Sequence, residues 1–166
     1  MGKNKSYLTA LNRTGPSGPL KYLLENKIIT NAGRILDYGC GKGADVVTLY
    51  NLGADVMGYD SYYQSFPPGE GFDIILCTFV LNVLPRKSER DAVLQSINDK
   101  LTDDGAAYIS VRNDRKHLNG WTKRGTWQGY IVLDLPVVHR TGSYVMYKMV
   151  KQIHEPIDDI TVIDSL

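Results

Sequence analysis

The residues with the clearest chemical meaning sit in seven positions, Asp37-Tyr38-Gly39-Cys40-Gly41-Lys42-Gly43. Glycines here permit backbone angles closed to other residues, and without side chains Gly39 and Gly41 let a ligand lie directly on the main chain. Arg34 to Tyr38 before them reads as a short buried strand. Ala44 to Leu52 after them reads as a helix, whose first amides are free for a ligand. Strand, glycine turn and helix in that order make the first crossover of a nucleotide-binding α/β unit, where ligands collect beyond the carboxyl ends of the strands.

The spacing narrows the ligand. Gly43 follows Gly41 by two residues, so the dinucleotide pattern G-x-G-x-x-G is not met, and no Gly-Lys-Ser/Thr stands at P-loop spacing. Asp37, two residues before the first glycine, would repel a pyrophosphate and suits a ligand with a positive group. S-Adenosylmethionine, with an ammonium, a sulfonium and no phosphate, is such a ligand. A second acid, Asp60, ends the next strand about twenty residues on, where a carboxylate can accept hydrogen bonds from ribose hydroxyls. A dehydrogenase would want that acid too, so the choice of cofactor lies with Asp37 and the glycine spacing.

The elements around this turn are readable from periodicity. Ser17-Gly18-Pro19 starts a helix carrying Leu20, Leu23, Leu24 and Ile28. Strands follow at 34–38, 55–59, 72–77 and 106–111, with a helix over 88–101 capped by Ser88 and Asp91 and a turn at Asp103-Asp104-Gly105. Tyr130–Leu135 and Tyr144–Val150 are expected to pair as an antiparallel hairpin. Strands alternating with helices predict an α/β fold with a mostly parallel sheet covered on both faces.

Composition sets the frame. The chain has 166 residues, 43% hydrophobic and 22% charged, a net charge of +1 and two cysteines. This is the balance of a folded chain with room for a single domain over 1–166. It excludes a generally basic nucleic-acid binder and a disulfide scaffold. The polar, basic opening predicts no secretory leader, and no apolar run approaches a membrane span, so a cytoplasmic location is expected. No metal-ligand spacing is present, and no metal is expected.

LDYGCGKG at 36–43, GYD at 58–60, FDIILCTFVLNVLP at 72–85 and LTDDGAAYISVR at 101–112 together resemble the class I S-adenosylmethionine-dependent methyltransferases, with a Rossmann-like sheet. The flanks at 16–26 and 124–138 resemble small single-domain methyltransferases of bacteria and phages. The resemblance implies that Asp37, Gly39 and Gly41 line the methionine end of the cofactor and Asp60 the ribose. In the family a third strand and a helix normally follow the second strand. Residues 61–71 are too few for both, so the sheet is expected to be truncated at that edge. Tyr62, Tyr63 or Phe66 then either covers the adenine or only plugs the sheet edge. Residues 1–16 are expected to be flexible or to cap the cofactor.

The acceptor is less legible. The segment after the third strand faces the transferred methyl in the family, but here it lacks both the Asp/Asn/Ser-Pro-Pro-aromatic motif of DNA amino-methyltransferases and the Pro-Cys nucleophile of cytosine-C5 enzymes. Asn82 is a candidate to orient the acceptor or to start a helix, and His117 a candidate for proton handling; no catalytic residue is assigned. Arg112, Arg115, Lys116, Lys123 and Arg124, interleaved with Trp121 and Trp127, either hold a nucleic acid or form a solvated loop. The expected activity is methyl transfer to a nucleic acid, a nucleotide or another small molecule. The alternatives are a cofactor-consuming lyase or hydrolase, and a non-catalytic cofactor-binding module.

Overall fold

The computed structural model describes residues 4–30, 32–63 and 66–153. In chain order these form a 3-10 turn at Ser6–Thr9, α1 (Gly18–Glu25), β1 (Arg34–Tyr38), α2 (Ala44–Asn51), β2 (Asp55–Tyr59) and β3 (Phe72–Thr78). A second 3-10 turn at Leu81–Val83 precedes α3 (Lys87–Lys100), β4 (Leu101–Arg112), β5 (Asn119–Trp121), β6 (Trp127–Gly129), β7 (Val137–Arg140) and β8 (Tyr144–Val150). Apolar residues Ile157, Ile160, Val162 and Ile163 in the acidic tail over 155–166 predict packing on an edge strand or a second copy; this tail and His154 lie outside the described residues.

Six strands form one sheet in the order β2-β1-β3-β4-β8-β7. The first four are parallel, and β8 turns back antiparallel to both β4 and β7. Alternation along the central strands sorts the core into two layers. Leu36, Ile75, Cys77, Ala107 and Ile109 face one side with Ile97 of α3. Ile35, Leu76 and Tyr108 face the other, with Leu20 and Leu23 of α1 and Leu49 of α2. β2 is an edge strand, and residues 61–63 and 66–71 contain neither helix nor strand, so the truncated edge is present as expected.

Four expectations are corrected. The last hairpin pairs β7 with β8, not residues 130–135 with β8. Ile131, Leu133 and Leu135 alternate like a strand but pack on the core without joining the ladder. The edge of β8 is taken instead by the chain from Pro136, whose carbonyl accepts Lys148 N at 2.9 Å. β4 begins at Leu101, absorbing the expected Asp103-Asp104-Gly105 turn as an irregularity opposite Phe72 and Ile74. α3 begins at Lys87, where the Glu89 carboxylate accepts Arg86 N at 3.0 Å. Asp91, expected as part of a cap, instead pairs with Lys87 at 2.6 Å. Finally, β5 and β6 form a small hairpin where the sequence pattern suggests only loop.

The segment before α1 is tied to α2 through Asp45, which is buried at 2% exposure. Its carboxylate accepts Ser17 N at 2.7 Å, Ser17 Oγ at 2.6 Å and Arg13 Nη1 at 2.9 Å. Ser17 Oγ in turn caps α1 by accepting Leu20 N at 3.2 Å. Replacing Asp45→Ala strands three donors and is expected to cost about 2–4 kcal/mol, read as a lowered urea midpoint at unchanged slope.

Candidate active site

β1 and β2 pair with Asp37 opposite Gly58 and Tyr38 opposite Tyr59, so both strands end at the same level. The chain then leaves β1 through a turn in which Gly39, Gly41 and Gly43 all have left-handed backbone angles, φ +82°, +53° and +81°. Gly39 N and Cys40 N both donate to Tyr59 O, at 2.7 and 2.9 Å, fixing the turn to the end of β2. The glycines are required by space as well as by angle. A Cβ on Gly39 would collide with Val80, and one on Gly41 would press on the Ala10 side chain at 3.1 Å.

Asp60 closes the turn from the β2 side. One carboxylate oxygen accepts Gly41 N at 2.9 Å, and the other accepts Tyr62 N at 2.9 Å and Tyr63 N at 3.1 Å. Three main-chain amides thus engage the acid expected to meet a ribose, and a carboxylate keeps lone-pair capacity for a further donor. Asp37 is different. It is 3% exposed, and among the described residues no cation pairs with it and no donor bonds to it. Burial first, then the neighbouring Asp45 carboxylate, pushes its pKa up to about 8; Arg13 opposes the rise and Asp60 adds to it. A cation brought to this turn would find a carboxyl group with nothing else to neutralise it.

The segment before α1 lies across the same turn. Tyr7 stacks flat on Tyr62, ring centroids 4.0 Å apart and planes 6° from parallel, and its carbonyl accepts the Tyr63 hydroxyl at 3.1 Å. Ala10 sits on Gly41, and Lys42 Nζ donates to Asn12 at 3.0 Å. Tyr62 is still 58% exposed, and Phe66 stands further out at 79%. An open depression of about 420 Å³ lies on the outer side of α2, lined by Asn12, Arg13, Lys42 and α2 side chains. It includes neither Asp37 nor Asp60, so the glycine turn remains the better-built site.

On the other flank, β3 lies beside β1 with Leu76 opposite Asp37, and the chain after β3 passes the turn with Val80 against Gly39. Asn82 follows, buried in the Leu81–Val83 turn, and donates through Nδ2 to Gln128 Oε1 of β6 at 3.4 Å. Asn4 bridges the same two elements, donating to Val83 O at 2.8 Å and accepting Trp127 N at 3.4 Å. Asp37, Gly39, Gly41, Asp60 and Tyr62 are therefore gathered around one turn, with Asn82 beside it. His117 is not brought there; it is exposed between β4 and β5. Cys40 and Cys77 are free thiols, and burial pushes Cys40 up to about 12 and Cys77 higher still, so neither offers a thiolate.

The basic stretch is the loop and hairpin after β4. Arg112 is committed to Asp114 by two bonds of 2.9 and 2.6 Å, and Arg115 stands 3.8 Å from the same carboxylate. Lys116, Lys123 and Arg124 are exposed with no ion pair among the described residues. Trp121 is 50% exposed, while its cross-strand partner Trp127 is buried. Asn4, Tyr7 and Gln128 are functional candidates that the sequence pattern does not reveal. The available signal for the hairpin is Trp121-Thr122-Lys123-Arg124-Gly125-Thr126-Trp127, with Gly125 left-handed and the two threonine hydroxyls 2.6 Å apart.

A family model described as a methyltransferase domain matches residues 9–142. The chain belongs to this methyltransferase family. No curated protein matches the chain. Among solved structures, a TehB-like SAM-dependent methyltransferase from Corynebacterium glutamicum is similar over 87% of this chain and 92% of its own, with 20% identity and a TM-score of 0.56. The Burkholderia thailandensis 1,6-didemethyltoxoflavin-N1-methyltransferase, solved with its substrate and S-adenosylhomocysteine, matches over 78% and 75%, with 17% identity and a TM-score of 0.58. A protein described for conversion of a disulfide bond into a thioacetal group in echinomycin biosynthesis matches over 63% of this chain, with 21% identity and a TM-score of 0.51. The chain spans about half that protein's length, 52%. These likenesses establish the Rossmann-like methyltransferase fold. Among the described residues no His, Cys, Asp and Glu side chains gather as a metal site, and no helix is long and apolar enough to cross a membrane.

The Asp37 carboxyl makes the stability of the ligand-free methyltransferase pH-dependent with a definite sign. Its folded pKa of about 8 lies above the ordinary aspartate value of 3.8, so between those values the folded chain holds a proton that the unfolded chain has lost. This group therefore makes stability fall as pH rises through that window, by on the order of 1 kcal/mol per pH unit at most. Urea titrations at pH 5 to 8 are expected to show a shallower decline for Asp37→Asn than for wild type, with the variant the more stable at pH 8.

Proposed function

We propose that this chain transfers the methyl group of S-adenosylmethionine to a nucleotide-like acceptor, a nucleic acid or a smaller nucleotide, held between the Leu81–Val83 turn and the β5–β6 hairpin. The observation that carries the cofactor half is the buried Asp37 carboxyl, unpaired among the described residues, at a turn of three left-handed glycines. The donor set fits the group. Asp37 supplies an anion for the ammonium, Gly39 and Gly41 supply bare backbone, and Asp60 keeps capacity for a ribose hydroxyl. Tyr62 offers an aromatic face for the adenine. Bound S-adenosylmethionine supplies an electrophilic methyl group with its leaving group in place. What remains for the protein is alignment, worth up to ~10 kcal/mol in favourable cases.

Each flank has a separate task in this reading. Residues 4–13 cap the glycine turn through Ala10 and Tyr7 and exclude water from it. The loop after β4 and the hairpin present Lys116, Lys123 and Arg124 to phosphate and the exposed Trp121 to a base. Arg112 is held by Asp114 and serves to shape the loop, with Arg115 at its margin. Free thiols at Cys40 and Cys77 fit a reducing, cytoplasmic setting.

Calorimetry with S-adenosylhomocysteine tests the cofactor half: micromolar to low-millimolar binding is expected, and no binding in that range contradicts it. For the acceptor half, Lys123→Glu with Arg124→Glu is expected to weaken binding of a single-stranded oligonucleotide. It should also reduce the slope of log K against log salt by about one for each phosphate no longer neutralised. An unchanged, salt-insensitive affinity contradicts the phosphate role.

A further inference from the structure

Asn82 carries a feature that burial alone does not explain. It is 2% exposed, yet its Oδ1 has no hydrogen-bond partner among the described residues, and its Nδ2 reaches Gln128 Oε1 at 3.4 Å, long for an N–H···O bond. Gln128, 9% exposed, turns its oxygen to Asn82, while its Nε2 bonds to none of the described residues. Among the described residues the two contacting amides together hold one free acceptor and one free donor. They stand between the chain that packs on Gly39 and the hairpin that carries the free cations. Asn4 bridges the same two elements through Val83 O and Trp127 N, and a ligand reaches the buried Asn82 oxygen only where these elements part.

An acceptor and a donor presented together complement the edge of an amine- or amide-bearing heterocycle, where an N–H adjoins a ring nitrogen or carbonyl. We infer that Asn82 and Gln128 receive the atom that takes the methyl group, and that this atom is the nitrogen of such a heterocycle. This deepens the methyl-transfer reading above and depends on it. Asn82 Oδ1 accepts the N–H of the acceptor and sets the direction of the nitrogen lone pair; Gln128 Nε2 donates to the neighbouring ring atom and fixes the ring's rotation. The lone pair forms the new N–CH3 bond as the bond from methyl to sulfur breaks. The sulfur keeps that electron pair, and the nitrogen gives up one proton to water. A neutral amide suits the task, because an oriented acceptor is needed and a strong base is not.

The test uses the full chain, 15N-labelled and saturated with S-adenosylhomocysteine, titrated with AMP, CMP and GMP and with ribose 5-phosphate as a phosphate-only control. The Asn82 and Gln128 side-chain amide signals are expected to shift with at least one of the nucleotides and to stay in place with ribose 5-phosphate. Asn82→Leu is expected to weaken that nucleotide's binding roughly tenfold, the loss of one hydrogen bond to a buried acceptor. It should leave S-adenosylhomocysteine binding within about twofold, since the two ligands meet different residues. Amide signals unmoved by all three nucleotides, or moved equally by ribose 5-phosphate, overturn the inference; so does an Asn82→Leu protein that binds the nucleotide as wild type does. The titration of the unaltered chain decides the matter if the variant fails to fold. Absence of S-adenosylhomocysteine binding strikes the methyl-transfer reading instead.

Discussion

A nearly buried carboxyl group with no partner among the described residues is the constraint around which the site is built. Three acids lie within one crossover of this chain, and the structure treats them differently. Asp45 receives Ser17 N, Ser17 Oγ and Arg13, and Asp60 receives three backbone amides. Asp37, as buried as Asp45, receives none from the described residues, and its burial and the Asp45 charge push its pKa up to about 8. Such a group opposes folding at neutral pH and persists where a ligand compensates it. The left-handed glycines beside it give that ligand access to bare backbone.

The rest of the fold serves this point. Parallel pairing of β1 with β2 and β3 ends three strands at one level, which brings Asp60 to one side of the turn and Val80 to the other. The edge beyond β2 carries no further strand, and Tyr7 from the start of the chain covers Tyr62 there. Asn4, three residues earlier, links the Leu81–Val83 turn to β6. One short segment therefore touches both the cofactor turn and the proposed acceptor wall.

What the sequence revealed was local. Asp37, the glycines and the helix after them lie within a few residues, and strand, turn and helix announce themselves by composition. The truncated edge was legible because too little chain separates Asp60 from Phe72 for another strand and helix. What it hid was long-range. Nothing near Tyr7 or Asn4 marks their distant partners, and β6 is only three residues long, so Gln128 sits below the length at which periodicity speaks. Residues 130–135 and β7 show the same difficulty: alternation of Ile131, Leu133 and Leu135 predicts burial correctly, but which segment pairs with β8 is decided at Pro136 and the β8 edge. Asp60 was found in sequence, but its saturation by amides follows from the turn's three-dimensional path.

Asp37 waits, protonated, for a cation, and the proton it then gives up can be counted. Titration calorimetry of S-adenosylhomocysteine at pH 7, run in buffers of different ionisation enthalpy, measures the protons exchanged on binding. With a free-state pKa of about 8, ionisation of Asp37 against the ligand ammonium releases close to one proton per site, and the release disappears in Asp37→Asn. Binding with no proton release, or with the same release in the variant, contradicts the ionisation of a protonated Asp37 against the ligand.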